Sequence, residues 1–302
     1  VGLIARGEEG LEGARRDVEA EGGRALVLPC DVAEAKAVEA AAELVERELG
    51  PIDVWVNNAM TSVFSRALEM TADEFKRVTE VTYLGYVYGT MAALHRMRLR
   101  NRGTIVQVSS ALAYRSIPLQ SAYCASKHAI VGFTESLRSE LFHDRVGVHV
   151  TMVHLPAMNT PQFGWVRSRL PNEAQPVPPI FQPEVAADAI VWASTHRRRA
   201  ISVGMSAVRA IVGDKFIPGL LDRYLAWKGF SSQQTQQPRN PDRPDNLFAP
   251  VRGDHGAHGA FERRARPRSI QLWLNRHRVL AAMGSVALAA SAAKFSRPLL
   301  GK

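Results

Sequence analysis

Short aliphatic and β-branched runs alternate with longer stretches whose apolar positions recur at helical spacing over roughly the first 200 residues. Val1–Ala5, Ala25–Leu28, Ile52–Val56, Thr104–Val108, Val146–Val153 and Ala200–Val203 read as strands. Between them, helices are predicted over about Glu9–Glu21, Ala33–Leu49, Ala72–Leu99, Ala122–Phe142 and Glu184–Ser194, the first ending at Gly22-Gly23. Strand and helix in strict alternation predict an α/β fold, a doubly wound, Rossmann-like parallel sheet with helices on both faces.

After Val153 the pattern changes. Pro156, Pro161, Pro171, Pro176, Pro178, Pro179 and Pro183 interrupt regular structure, while Phe163, Trp165 and Phe181 supply apolar surface. A long loop at a strand's carboxyl end is where an open α/β sheet places its ligand, so 157–183 reads as a mobile substrate lid. Past Trp227 the chain shifts again. Ser231–Pro250, rich in Gln, Asn, Pro and Ser, reads as a linker. Val279–Ala293 is an uncharged, alanine-rich run, short of the ~20 residues a spanning helix needs, and reads as a docking helix. The predicted organisation is therefore a domain over 1–227 and an extension over 228–302.

Charge follows the same division. Residues 1–227 hold 25 Lys+Arg against 25 Asp+Glu, while 228–302 hold 13 against 4, the whole of the net +9. The neutral domain gives no reason to expect a nucleic-acid enzyme. The basic tail reads as a solvated extension, with membrane-surface contact as the lesser reading. The two cysteines, Cys30 and Cys124, lack metal-ligand spacing and fit free thiols in a reducing, cytoplasmic setting. His255 and His258 have no evident third ligand, so no metal site is expected. The chain opens on Val-Gly-Leu-Ile-Ala, which reads like the middle of a strand, so a fragment lacking its N-terminus is expected.

Candidate chemistry sits at strand ends. Tyr123 and Lys127 lie at i and i+4, one turn apart on the same face of the predicted helix. A phenol with a pKa near 10 is a poor proton shuttle at neutral pH, and a nearby ammonium favours the phenolate. Ser110 closes the strand before that helix, where its hydroxyl can meet the same substrate oxygen. Asn57-Asn58-Ala59 follows another strand at the same sheet edge.

Asp31, Asn57-Asn58-Ala59, Ser110, Tyr123-x-x-x-Lys127 and Pro156…Thr160 together resemble the short-chain dehydrogenase/reductase family, over about residues 1–205. The resemblance implies an oxidoreductase passing a hydride between a nicotinamide cofactor and an alcohol or carbonyl. Tyr123 would be the general acid or base. Lys127 would lower its pKa and bind the nicotinamide ribose, and Ser110 would polarise the carbonyl. Asp31, with Val32 beside it, would meet the adenine; Asn57 and Ala59 would line the cofactor path; Pro156, Met158 and Thr160 would flank the nicotinamide. No acidic residue ends the first strand, and Arg6 follows it, which favours NADP(H) over NAD(H). Asp31 and Glu34 also suit a capping box.

Three departures qualify the resemblance. The glycine-rich turn Thr-Gly-x-x-x-Gly-x-Gly is absent, so the chain as given is expected to bind cofactor weakly. In Val81-Thr82-Tyr83-Leu84-Gly85, Thr82 stands where many members carry the asparagine that helps hold a water linking the lysine to solvent; its hydroxyl could still bind one. Met60 and Ala157 replace usual glycines. The aromatic lid suggests an apolar, bulky substrate. Family resemblance also implies a homodimer or tetramer. The alternative reading is a non-catalytic binding or scaffold protein that retains the fold.

Overall fold

The computed structural model describes residues 1–278, so the helix expected at Val279–Ala293 lies outside the described residues. β1 (Gly2–Ala5) passes through α1 (Glu8–Ala20) to β2 (Leu26–Pro29), and the two strands pair in parallel, Leu3 opposite Val27. α2 (Ala35–Leu49) leads to β3 (Val54–Asn57) and the short β4 (Val63–Phe64). The predicted long helix is in fact α3 (Ala72–Thr79), a π-helical turn over Glu80–Leu84, and α4 (Gly85–Leu99). Thr71 caps it: its hydroxyl accepts from Glu74 N while Glu74 reaches back to Thr71 N. β5 (Thr104–Ser110), α5 (Ser121–His143) and β6 (His149–Leu155) complete the central crossover.

β7 (Ala157–Met158), β8 (Arg167–Ser168), β9 (Asn172–Ala174) and β10 (Ile180–Phe181) are short strands within the proline-rich segment. Then come α6 (Pro183–Thr195), β11 (Ala200–Ser202), α7 (Gly204–Phe216) and α8 (Pro218–Lys228). β12 (Gln234–Pro238), β13 (Ala265–Arg266) and α9 (Ile270–Arg276) belong to the extension. The sheet order is β11-β6-β5-β3, all parallel, with β1-β2 as a separate parallel pair.

Both faces of the four-stranded sheet are covered. On one, Ile105 and Val150 pack with Val38 and Ala42 of α2, Ala93 and Met97 of α4, and Leu137 and Leu141 of α5. On the other, Val106, Val153 and Ile201 pack with Val185, Ala189 and Ala193 of α6. Small side chains on α2 and α4 let the helices approach each other. Each residue of this kind fully removed from water contributes roughly 1.5–3 kcal/mol at Val or Leu size. Among the described residues, no helix is long and apolar enough to cross a membrane.

The structure revises two segments. The 157–183 stretch is pinned, because the extension supplies its strand partners: β9 pairs antiparallel with β12, and β10 lies between β7 and β13. The stretch read as a linker over 231–250 packs on the domain. Gln233 is fully buried, its side chain meeting Gln120 and the Pro118 and Gly229 carbonyls. Leu247 is also fully buried, inserted among Val63, Val78 and Ala122. Gln and Asn tracts look like solvated chain by composition, but here the Gln233 amide satisfies two loop carbonyls while the backbone of β12 pairs with β9.

Candidate active site

The carboxyl ends of β1, β3, β5 and β6 open on one cavity of about 1420 Å³, which runs between the β1–β2 pair and the edge of β3. Ser110, Tyr123, Lys127, Asn57, Ala59, Arg6, Asp31, Val32, Pro156, Met158 and Thr160 all line it; Thr82 does not. The alternation of β5 and α5 causes this convergence. Ser110 leaves the sheet in an extended conformation, and a short turn returns the chain so that α5 begins at Ser121, presenting Tyr123 and then Lys127 to the same wall. The Ser110 hydroxyl accepts from Leu112 N at 3.1 Å, which orients it.

Lys127 is 2% exposed. Its ammonium donates to the Val108 carbonyl at 2.8 Å and to the Tyr86 hydroxyl at 3.0 Å, and lies 5.6 Å from the Tyr123 ring centroid. Burial pulls its pKa down from 10.5 to about 7. Burial likewise pushes the Tyr123 phenol above its usual 10, while hydrogen bonding with the Ser110 hydroxyl acts the other way. The expected acidification of the phenol by the ammonium is therefore not the dominant effect in this cleft. Both groups are short of solvent, and desolvation penalises the charged form of each.

Other expected positions show mixed commitments. The Asn57 amide donates to Thr90 Oγ1 and Gln107 Oε1, both at 2.9 Å, and accepts from Trp55 Nε1 at 2.8 Å. Its side chain thus braces the sheet edge, leaving its backbone and Ala59 to the cavity. Thr82 Oγ1, at the position of the family's water-holding asparagine, accepts from Thr61 N at 3.0 Å and donates to Thr61 O at 2.9 Å, so its hydroxyl ties down the turn after β3. Val32 packs beneath Gly85, where a β-carbon would come within 2.8 Å of it. Met158 turns its side chain into the α6 core, and Thr160 N donates to Met158 O at 3.0 Å.

Asp31 and Arg6 differ most from expectation. Helix α2 starts with Glu34 as an N-cap that makes no side-chain capping bond; Asp31 instead accepts from Ala33 N at 3.0 Å and pairs with Arg77. The capping box is thus not formed. Arg6 donates to the carbonyls of Asn246, Leu247 and Phe248, the last at 3.0 Å. Burial and nearby Arg77 lower its pKa, while Asp31 opposes them. The guanidinium expected to meet a 2′-phosphate is therefore engaged by the extension's backbone. His258 sits between Glu184 and Glu262, whereas His255 packs edge-on against Trp165, so the two histidines do not converge.

Sequence reasoning missed Tyr86, Arg77 and the 246–257 strap. Tyr86 carried a weak signal, since it lies four residues after Thr82 on the same helix. The strap carried none: it meets Arg6 through backbone carbonyls, and Leu247 lies in a short apolar run within a polar, proline-rich stretch.

A family model described as short chain dehydrogenase matches residues 1–170. The oxidoreductase YxnA of Bacillus subtilis (strain 168) is 32% identical over 253 residues, 83% of this chain and 71% of that protein. Fatty acyl-CoA reductase of Acinetobacter baylyi is 29% identical over 212 residues, 69% of each chain. Among solved structures, a short-chain dehydrogenase from Streptomyces avermitilis superposes with a TM-score of 0.60 at 28% identity, covering 76% of this chain and 88% of that one. The chain belongs to the short-chain dehydrogenase family. It is an oxidoreductase that uses a nicotinamide cofactor on an alcohol or carbonyl group. The YxnA match is too long to fit within residues 1–227, so part of the extension is shared with that relative.

Proposed function

We propose that the protein catalyses NADP(H)-dependent reduction of an apolar carbonyl compound, or the reverse oxidation, with Tyr123 as general acid or base. The observation that carries this reading is the convergence of Ser110, Tyr123 and Lys127 on one wall of the cavity. At this end the residues fit a nicotinamide riboside: an ammonium has three N–H donors, and Lys127 uses two of them on Val108 and Tyr86. When bound, the cofactor supplies or accepts the hydride. Ser110 orients the substrate oxygen, and Tyr123 holds the proton that this oxygen gains or loses. Lys127, while protonated, stabilises the phenolate that remains. Burial keeps water from these groups, which strengthens each charge interaction.

Two finer features belong to the same reading. Ile117, Leu155, Phe163, Val166 and Val177 line the cavity with apolar surface, which suits an aliphatic substrate, as does the acyl substrate in the name of the Acinetobacter relative. NADP(H) is favoured because Ala5 places no carboxylate at the end of β1 while Arg6 and Arg77 bring two cations to Asp31. Arg6 meets a phosphate in this scheme only as the carbonyls of 246–248 release it.

The experiment is a screen of carbonyl compounds, from short ketones to long-chain aldehydes, for NADPH oxidation by the full-length protein. Tyr123→Phe should lower the rate by about 10²–10⁴-fold. Equal NADPH consumption by wild type and variant overturns the reading.

A further inference from the structure

The π-helical turn over Glu80–Leu84 resets the phase of the long helix, and after it Gly85, Tyr86 and Gly89 line the cavity. Two of these have no side chain, so on that face Tyr86 alone brings a functional group. Tyr86 is 1% exposed and its hydroxyl has two partners: it donates to the Val108 carbonyl at 2.8 Å and accepts from the Lys127 ammonium at 3.0 Å. The ammonium also donates to the Val108 carbonyl at 2.8 Å and lies 4.6 Å from the Tyr86 ring centroid. Lys127, Tyr86 and Val108 thus form a closed triangle. Thr82, the position matching the family's asparagine, is committed to Thr61.

We propose that Tyr86 is a positioning residue for Lys127, fixing the ammonium's rotation so that its remaining N–H faces the cleft and keeping it charged there. The inference rests on Lys127 acting as the charged partner of Tyr123. Tyr123 on its own helix and Tyr86 from α4 face Lys127, and His154 from β6 is lowered to about 4 by burial, with Arg138 and then Lys127 adding to it. Among the described residues no carboxylate offsets the burial of the ammonium, whose lowered pKa comes from desolvation. A hydroxyl that accepts from the ammonium is then a principal support of the charged form.

The sign follows. Tyr86→Phe keeps the ring but removes an acceptor available to the ammonium, so Lys127 loses its proton at lower pH. Since the ammonium is needed, the high-pH limb of kcat/KM should move down by about one pH unit, with the low-pH limb in place. A purely structural tyrosine would lower activity evenly and leave both limbs where they are, which overturns the proposal. A second measurement needs neither turnover nor the variant. In ¹⁵N-lysine-labelled wild type without cofactor, Lys127 should give a resolved, slowly exchanging ammonium signal, assigned by its loss in Lys127→Met. A Lys127 signal exchanging as fast as the surface lysines overturns the proposal, even if Tyr86→Phe does not fold. Should Tyr123→Phe and Lys127→Met retain full activity, the catalytic reading fails instead, and the ammonium signal, exchanging more slowly in wild type than in Tyr86→Phe, still reports on Tyr86.

Discussion

Lys127 carries a cost that the rest of the chain must offset. Its pKa is about 7 in the folded protein against 10.5 in water, so between those values the unfolded chain binds more protons than the folded one. Stability from this group therefore rises with pH from about 7 toward 10.5, and is at its lowest below 7. Lys127→Met removes that dependence. The variant should melt above wild type at pH 7, with the gap closing as pH approaches 10, read from thermal unfolding at several pH values; a variant melting below wild type at pH 7 contradicts this assignment. The i, i+4 spacing of Tyr123 and Lys127 was legible from the sequence because helical periodicity alone puts them on one face. The balance of burial and charge was not, since desolvation comes from residues distant in sequence: Tyr86 is 41 positions from Lys127. Arg6 shows the same limit, its partners lying more than 200 residues away.

Among the elements, α4 offers a sharp test. Gly89 sits inside this helix, where propensity alone favours alanine. A β-carbon there would meet Asn57 Oδ1 at 2.3 Å and Trp55 Nε1 at 2.7 Å. Gly89→Ala should thus destabilise by about 1–3 kcal/mol, measured by urea unfolding, rather than stabilise. The strands and major helices were readable from period and strand-end chemistry, mostly to within a few residues. The π-helical turn was not, because Glu80–Leu84 carries no proline, glycine pair or break in pattern. Nor were α7 and α8 anticipated; both leave much apolar surface exposed, Phe216 and Trp227 among it, so no clean amphipathic period marks them. The strap gives a further prediction. Leu247→Ala should cost about 2–5 kcal/mol, as expected for a leucine enclosed by Val63, Val78 and Ala122.

At the scale of the molecule, composition separated a neutral domain from a basic extension, yet the described part of that extension is structurally continuous with the domain. It provides β12 and β13 to short strands that would otherwise expose their edges, and Ser269 caps α9 so that Leu272 enters the α6 core. A chain ending at Trp227 should therefore aggregate or elute as soluble oligomers on size exclusion where the full chain gives a single sharp peak. Charge patterning could not show this, because arginines such as Arg243 spend their donors on Glu173 and on the Phe163 and Val166 carbonyls rather than on solvent. The same clasp closes one side of the cavity in which Ser110, Tyr123 and Lys127 meet.

The central claim is that Tyr123 exchanges a proton with the substrate oxygen while hydride passes between cofactor and carbon. Its most direct test is a single-turnover reaction of the full-length protein with 4-deuterated NADPH and the best carbonyl compound from the screen, the product being weighed by mass spectrometry. Deuterium should appear on the carbinol carbon with wild type and be nearly absent over the same interval with Tyr123→Phe. Equal labelling by the two proteins would contradict the account.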